Sequence, residues 1–414
     1  MINRRSFLKT IPVTALLIPQ PLHKFYAKHL STTEDDAFWE NIAQAYNVDR
    51  SIINLNNGGV SPQPVAVQNR FVELNTEANK GPSYYMWRIM DKGREPLRAR
   101  LANLAGCATD EIAIQRNTTE ALGNVVMGIN LQPGDEVVLS NMDYPNMLQA
   151  WKQRAQREGI KLVFADLKLP STDTDYLTNA YTRLFTSKTK VVHLTHMINW
   201  CGQLMPVAQI AAQANKFGIE VILDAAHTFA HIPFSLSETG CHYAGTSLHK
   251  WLGAPFGTGF LYVAKDKIKN LWPLLPSNEP QSNDIRKFEV LGTRSFAAEQ
   301  GINAAIDFNE SIGMVRKSER LYFLKNYWCS KVIGLPRIKI NTPLHSKFSG
   351  AIAHVEIEGY TAATLEAALF QQFKIHTSPI GWAYLDGVRI TPNVYTRLSE
   401  LDVLVEAIKT LAKK

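Results

Sequence analysis

The feature that most restricts the fold of this chain is an alternation, sustained from Glu111 to Val263, of short apolar runs with longer amphipathic stretches. Runs at 111–114, 136–140, 161–165, 191–195, 220–223 and 259–263 have the length of strands. Between them lie helical stretches such as 145–158 and 206–217. In the second of these, Val207, Ile210, Ala211 and Ala214 recur at helical spacing and form one apolar stripe. Pro206 suits the first helical position and Gly218 the stop. Strands separated by helices of this length predict a mostly parallel sheet covered on both faces. In such a sheet ligands bind beyond the carboxyl ends of the strands, and that is where functional residues are to be sought.

After about residue 305 the pattern changes. Helical stretches at 302–318, 361–372 and 400–412 alternate with strands near 351–357 and 387–390, as in a smaller α+β domain. The division expected for the 414 residues is an N-terminal segment 1–30, a large domain 51–304, and a small domain built from 31–50 and 305–414. Cys107, Cys201, Cys241 and Cys329 lie far apart, with no pair at metal-ligand spacing, and are expected to be isolated thiols.

The formal net charge of +7 is concentrated at the start of the chain. Arg4, Arg5, Lys9, Lys24 and Lys28 precede the first acidic residue, which leaves +2 for everything else, too little for a nucleic-acid surface. The run Asn3-Arg4-Arg5-Ser6-Phe7-Leu8-Lys9, followed by an apolar stretch from Ile11 to Ile18, resembles a twin-arginine export signal. Broken by Pro12 and closed by Pro19, that stretch is well short of the ~20 residues that span a bilayer, so no stable membrane anchor is expected. The expected destination is the bacterial periplasm.

Two neighbouring motifs carry the chemistry. The run 220–223 ends in Asp224-Ala225-Ala226-His227, and a buried strand-end acid is costly without a cationic partner. Further on come Ser247-Leu248-His249-Lys250-Trp251 and the glycine-rich stretch 253–259. That stretch lacks the strand-to-helix setting of a dinucleotide loop. From about Leu55 to Arg389 the arrangement resembles fold-type-I pyridoxal 5′-phosphate enzymes. It is most similar to the class V aminotransferase branch that holds cysteine desulfurases and isopenicillin N epimerase-like proteins.

The resemblance implies an α/β fold with a large, mostly parallel-sheet domain and a smaller α+β domain. It makes Lys250 the catalytic residue, carrying the cofactor as a Schiff base, since a partly desolvated amine is more readily nucleophilic. Asp224 is implied to pair with the pyridine nitrogen, and His227, with Asn199 as a second candidate, to approach the phenolic oxygen. Thr118 and Thr119 open a helical run, where free N–H groups suit a phosphate, and Asn117 with Glu120 reads as a capping box. Ser247 and His249 match the family's other phosphate contacts. Thr293, in Gly292-Thr293-Arg294, matches a loop that reaches the phosphate of a neighbouring subunit, implying a homodimer with shared active sites. Tyr144 falls where an aromatic ring stacks on the cofactor, while Asn57 and Gly58 match the loop lining the substrate site.

Arg389 matches the arginine that clamps a substrate carboxylate. Desulfurases carry a nucleophilic cysteine shortly before that arginine, and residues 373–382 contain none. The expected function is therefore aminotransferase-like or isopenicillin N epimerase-like action on an amino acid or peptide-like amine, with no metal. The alternatives are a catalytically silent scaffold retaining the fold, and an exported enzyme tailoring a secreted peptide such as a siderophore.

Overall fold

The computed structural model describes residues 33–413, so the twin-arginine-like segment lies outside the described residues. The large sheet has seven strands: β2 (Ile112–Gln115), β3 (Glu136–Ser140), β4 (Lys161–Ala165), β5 (Thr189–Thr195), β6 (Glu220–Asp224), β7 (Tyr243–Ser247) and β8 (Gly259–Val263). Their order is β2-β8-β7-β6-β5-β3-β4, and only β8 runs against its neighbours. The central strands read as near-continuous apolar runs because they are covered on both faces. Val191, Val192, Val221, Ile222 and Leu223 are all fully buried.

The helices that cover the sheet are α1 (Thr33–Gln44), α2 (Val65–Asn79), α3 (Arg94–Ala105), α4 (Thr118–Gly128), α5 (Pro145–Glu158), α6 (Thr174–Thr182), α7 (Val207–Lys216) and α8 (Phe296–Ile312). The stripe expected on α7 is buried as a unit, and the chain leaves that helix through Gly218 at φ +66°. Pro206 stands one place earlier than expected, at the cap and not in the first turn.

The single helix expected over 302–318 is two. Gly313, at φ 84° and ψ 133°, ends α8 and starts α9 (Met314–Val332). Residue 304, the expected domain boundary, falls inside α8, and Ile302, Ala305 and Ile306 still pack in the large core. The change of partner comes within α9: Leu321 lies in the large core and Leu324 in the small one. The small sheet is antiparallel in the order β12 (Ser378–Trp382), β13 (Leu385–Ile390), β10 (Ala353–Ile357), β9 (Ile338–Ile340). Helices α9, α10 (Ala362–Phe373) and α11 (Leu398–Ala412) share its core. A two-stranded parallel ribbon, β1 (Ile53–Asn54) with β11 (Ile375–His376), lays the start of the chain beside the small domain. From 31–50, Trp39, Ile42, Ala43 and Tyr46 pack in the large core, and Arg50 and Glu40 pair with Glu400 and Arg397 of the small domain.

Candidate active site

The carboxyl ends of the sheet strands converge on one polar site. Strand β6 delivers Asp224, buried, whose Oδ1 accepts the Ala226 N–H at 2.9 Å and so closes the turn that carries His227. Strand β7 delivers Ser247, after which the chain turns through Lys250: Leu248 N–H reaches Thr258 O, and Gly253 N–H reaches Lys250 O. The Lys250 Nζ lies 3.3 Å from His227 Nε2.

Burial lowers the Lys250 amine to about 8; Asp224 acts against this and Arg389 with it. From an ordinary lysine value, that disfavours the ammonium by about 3 kcal/mol. Burial raises Asp224, with the Ala226 N–H and Lys250 opposing. His227 is held well below the usual histidine range, first by burial and then by the charges of Lys250 and Arg389. These mutual effects place Lys250, Asp224, His227 and Arg389 in one electrostatic site.

Beside Lys250, the N-terminus of α4 meets Ser247. The Thr118 N–H donates to Ser247 Oγ at 3.0 Å, and the two hydroxyls are 2.8 Å apart. Gly259 permits this approach, since a Cβ there would stand 2.5 Å from Thr246 O and 2.8 Å from Asn117 Cα. Asn117 caps the helix by accepting the Glu120 N–H. The reciprocal half of the expected capping box is absent, because the Glu120 carboxylate accepts from Arg116 N–H and its guanidinium instead. Thr119 is exposed, and His249 is half-buried next to Lys250, whose charge adds to burial in lowering its pKa.

Arg389 crosses from β13, buried, and donates to Asn199 O and to Asn56 Oδ1, each at 3.1 Å. Two of its five N–H donors are thus used on neutral acceptors, and its buried Nε has no partner among the described residues. Asn199 Oδ1 is buried and equally unpartnered among them. Burial lowers the guanidinium to about 10, opposed by Tyr144. Tyr144 precedes α5 and is 39% exposed, so it is no core tyrosine. Behind it, Asp143 is buried, accepts from Ser140 N–H and the Thr195 hydroxyl at 2.7 Å each, and is pushed up to about 7 by burial.

The loop of Asn57 and Gly58, expected at the substrate site, is tied to Thr391 beyond the end of β13. The Asn57 side chain is consumed by the protein, donating to Asn54 O and Thr391 O and accepting from Tyr395 Oη at 2.6 Å, so it braces the loop. Gly58 is held beside it by Thr391 Oγ1 at 2.9 Å. The neighbour Asn56 reaches Arg389, and its Nδ2 lies 3.4 Å from His376 Nε2. Neither residue was singled out in the sequence, where only Asn57 and Gly58 were named for this loop. Thr293 is exposed on a loop tied to β2 by Glu289, which accepts the Ile114 N–H at 2.6 Å, and no hydrogen bond joins it to Lys250, Ser247 or Thr118 among the described residues.

The donor set fits pyridoxal phosphate. A depressed amine, a buried strand-end acid, paired hydroxyls at a helix N-terminus and an unpartnered guanidinium N–H provide for the aldehyde, the ring nitrogen, the phosphate and a carboxylate respectively. No group of three or more His, Cys, Asp or Glu among the described residues is arranged to hold a metal ion.

Comparison with known proteins agrees with this fit. The sequence profile described as "Aminotransferase class-V" matches residues 53–383. An isopenicillin N epimerase from Amycolatopsis lactamdurans is 27% identical over 396 residues, covering 91% of this chain and 99% of the relative. A probable cysteine desulfurase from Halalkalibacterium halodurans is 26% identical over 310 residues, 70% of this chain and 75% of the relative. Among solved structures, the cysteine desulfurase of Thermococcus onnurineus NA1 superposes with a TM-score of 0.80 at 20% identity, covering 90% of this chain and 98% of that one. At that identity the likeness speaks to the fold.

Proposed function

The chain belongs to the class-V aminotransferase family, and from that premise we propose that it moves the α-proton of an amino acid, or of the amino end of a peptide-like small molecule, as an epimerase-like or aminotransferase-like enzyme. Pyridoxal 5′-phosphate is the cofactor; when bound it supplies an electron sink for charge developing at the α-carbon. Lys250 would hold it, and with the substrate amine in place the Lys250 Nζ would accept and return the α-proton, a role suited to an amine that burial lowers to about 8. Asp224 keeps a proton on the ring nitrogen. Arg389 fixes the substrate carboxylate with the donors that Asn56 and Asn199 leave unused. Ser247, Thr118 and the α4 N-terminus hold the phosphate.

The observation that carries this reading is the pairing, in one buried site, of a lysine amine lowered to about 8 with an arginine that has spare donors. Desulfurase chemistry is left out of the proposal because a thiolate nucleophile must ionise and be reached. Residues 375–382 hold no cysteine, and Cys201, two residues from Asn199, is buried with its thiol pushed up to about 12.

The test is incubation with a panel of amino acids and short peptides in heavy water. Deuterium should enter at the α-carbon. Both stereoisomers without keto acid would mark epimerisation, and keto acid would mark transamination. Arg389→Ala should raise KM about 10-fold or more, as expected for a lost charged hydrogen bond. No exchange with any substrate would sink the proposal in favour of a silent scaffold.

A further inference from the structure

His227 has both ring nitrogens assigned by its surroundings. Nε2 faces Lys250 Nζ at 3.3 Å, while Nδ1 lies 3.4 Å from Trp251 Nε1. An indole nitrogen only donates, so Nδ1 must offer its lone pair, and a neutral His227 then carries its single proton on Nε2.

The indole is not free to drift. Trp251 is buried and its ring stacks on that of His231 at 3.8 Å, with 25° between planes. His231 is fixed at both nitrogens, Nε2 accepting the Ala351 N–H at 2.8 Å and Nδ1 donating to His227 O at 2.7 Å. Gly350 lets that small-domain backbone close in: a Cβ there would stand 2.5 Å from His231 Nε2. On the other side the Trp251 carbonyl accepts from the buried Lys317 Nζ.

We propose that Trp251 is a positioning residue whose indole N–H fixes the tautomer of His227, so that the imidazole presents an N–H, and not a lone pair, to the Lys250 end of the site. The proposal rests on the assignment of Lys250 and the cofactor for its purpose: an N–H there is matched to an anionic oxygen such as the cofactor's phenolate, and mismatched to a lysine ammonium. The depressed pKa of His227 agrees with a neutral ring, and the lowered Lys250 amine sheds its proton as the pH passes about 8. The other charged or titratable groups around the pair are Asp224, Arg389 and His249 on the Lys250 side, with His231 and Lys317 behind Trp251.

Nitrogen-15 NMR of the histidine-labelled full chain, with and without cofactor, reads the tautomer directly. Above pH 8, where the Lys250 amine is the free base, the wild type should show His227 neutral and protonated at Nε2 in both forms; a proton at Nδ1 overturns the proposal without touching the Lys250 assignment. In Trp251→Phe a population protonated at Nδ1 should appear. The pH midpoint of the bound cofactor's absorbance should rise by about 0.5–1 unit, because the unprotonated form loses its donor. A second background separates positioning from packing. In His227→Gln the carboxamide keeps an N–H whatever the indole does, so adding Trp251→Phe should leave the midpoint where it was. An equal shift in both backgrounds, or none in either, overturns the role.

Discussion

The proton affinity of Lys250 is set by burial and by two neighbours of opposite sign, Asp224 and Arg389. An amine captures an aldehyde only as the free base. The rate of cofactor capture by the cofactor-free protein should therefore climb with pH and level off above about 8. Asp224 raises the Lys250 pKa, so Asp224→Asn should move the midpoint lower while holding the cofactor more weakly. Stopped-flow absorbance checks both, and a midpoint that stays or rises speaks against the assigned pairing. Lys250, Asp224, His227 and Arg389 were singled out through the resemblance of the motifs around them to a family, and the fold brings the four into one site. Asn56 was not separable from Asn57. Which amide faces Arg389 depends on Thr391 and Tyr395, more than 330 positions away, claiming the other.

Among the elements, β3, β4 and β8 were readable to the residue: β3 and β8 are buried and leave dense apolar runs, and the edge strand β4, though largely unburied, is apolar through Leu162, Val163, Phe164 and Ala165 all the same. Strand β7 was not: Tyr-Ala-Gly-Thr-Ser has no such run, and its five positions are buried only because β6 and β8 flank it. The break at Gly313 was missed for a related reason, since apolar spacing continues through it on both sides. The junction of β8 with the start of α4 is where an element decides the chemistry. Gly259→Ala would drive a methyl into Thr246 O and the Asn117 backbone, a clash of the kind that costs about 1–3 kcal/mol. Weaker cofactor retention with the fold preserved by circular dichroism is the expected outcome. Unchanged retention would mean that this close packing does not hold the phosphate end.

At the scale of the whole molecule, the site lies where the two domains meet: β13 supplies Arg389 to the ends of β5 and β6, and Trp382 of β12 donates to Asn141 O at 2.8 Å while stacking on Trp200. The exposed Thr293 loop is anchored by a buried network in which Arg94 and Arg98 share Glu289. We propose that it serves a neighbouring subunit. Sedimentation should then show a dimer, and Thr293→Ala should loosen the cofactor without dissociating it; a fully active monomer would refute this. The proposed chemistry depends on one covalent attachment, that of the cofactor to Lys250. Borohydride reduction of the cofactor-loaded protein, followed by proteolysis and mass spectrometry, should place the reduced cofactor on the peptide containing Lys250, and the adduct should be absent from Lys250→Ala. An adduct on a different lysine, or one that persists unchanged in Lys250→Ala, would contradict the account.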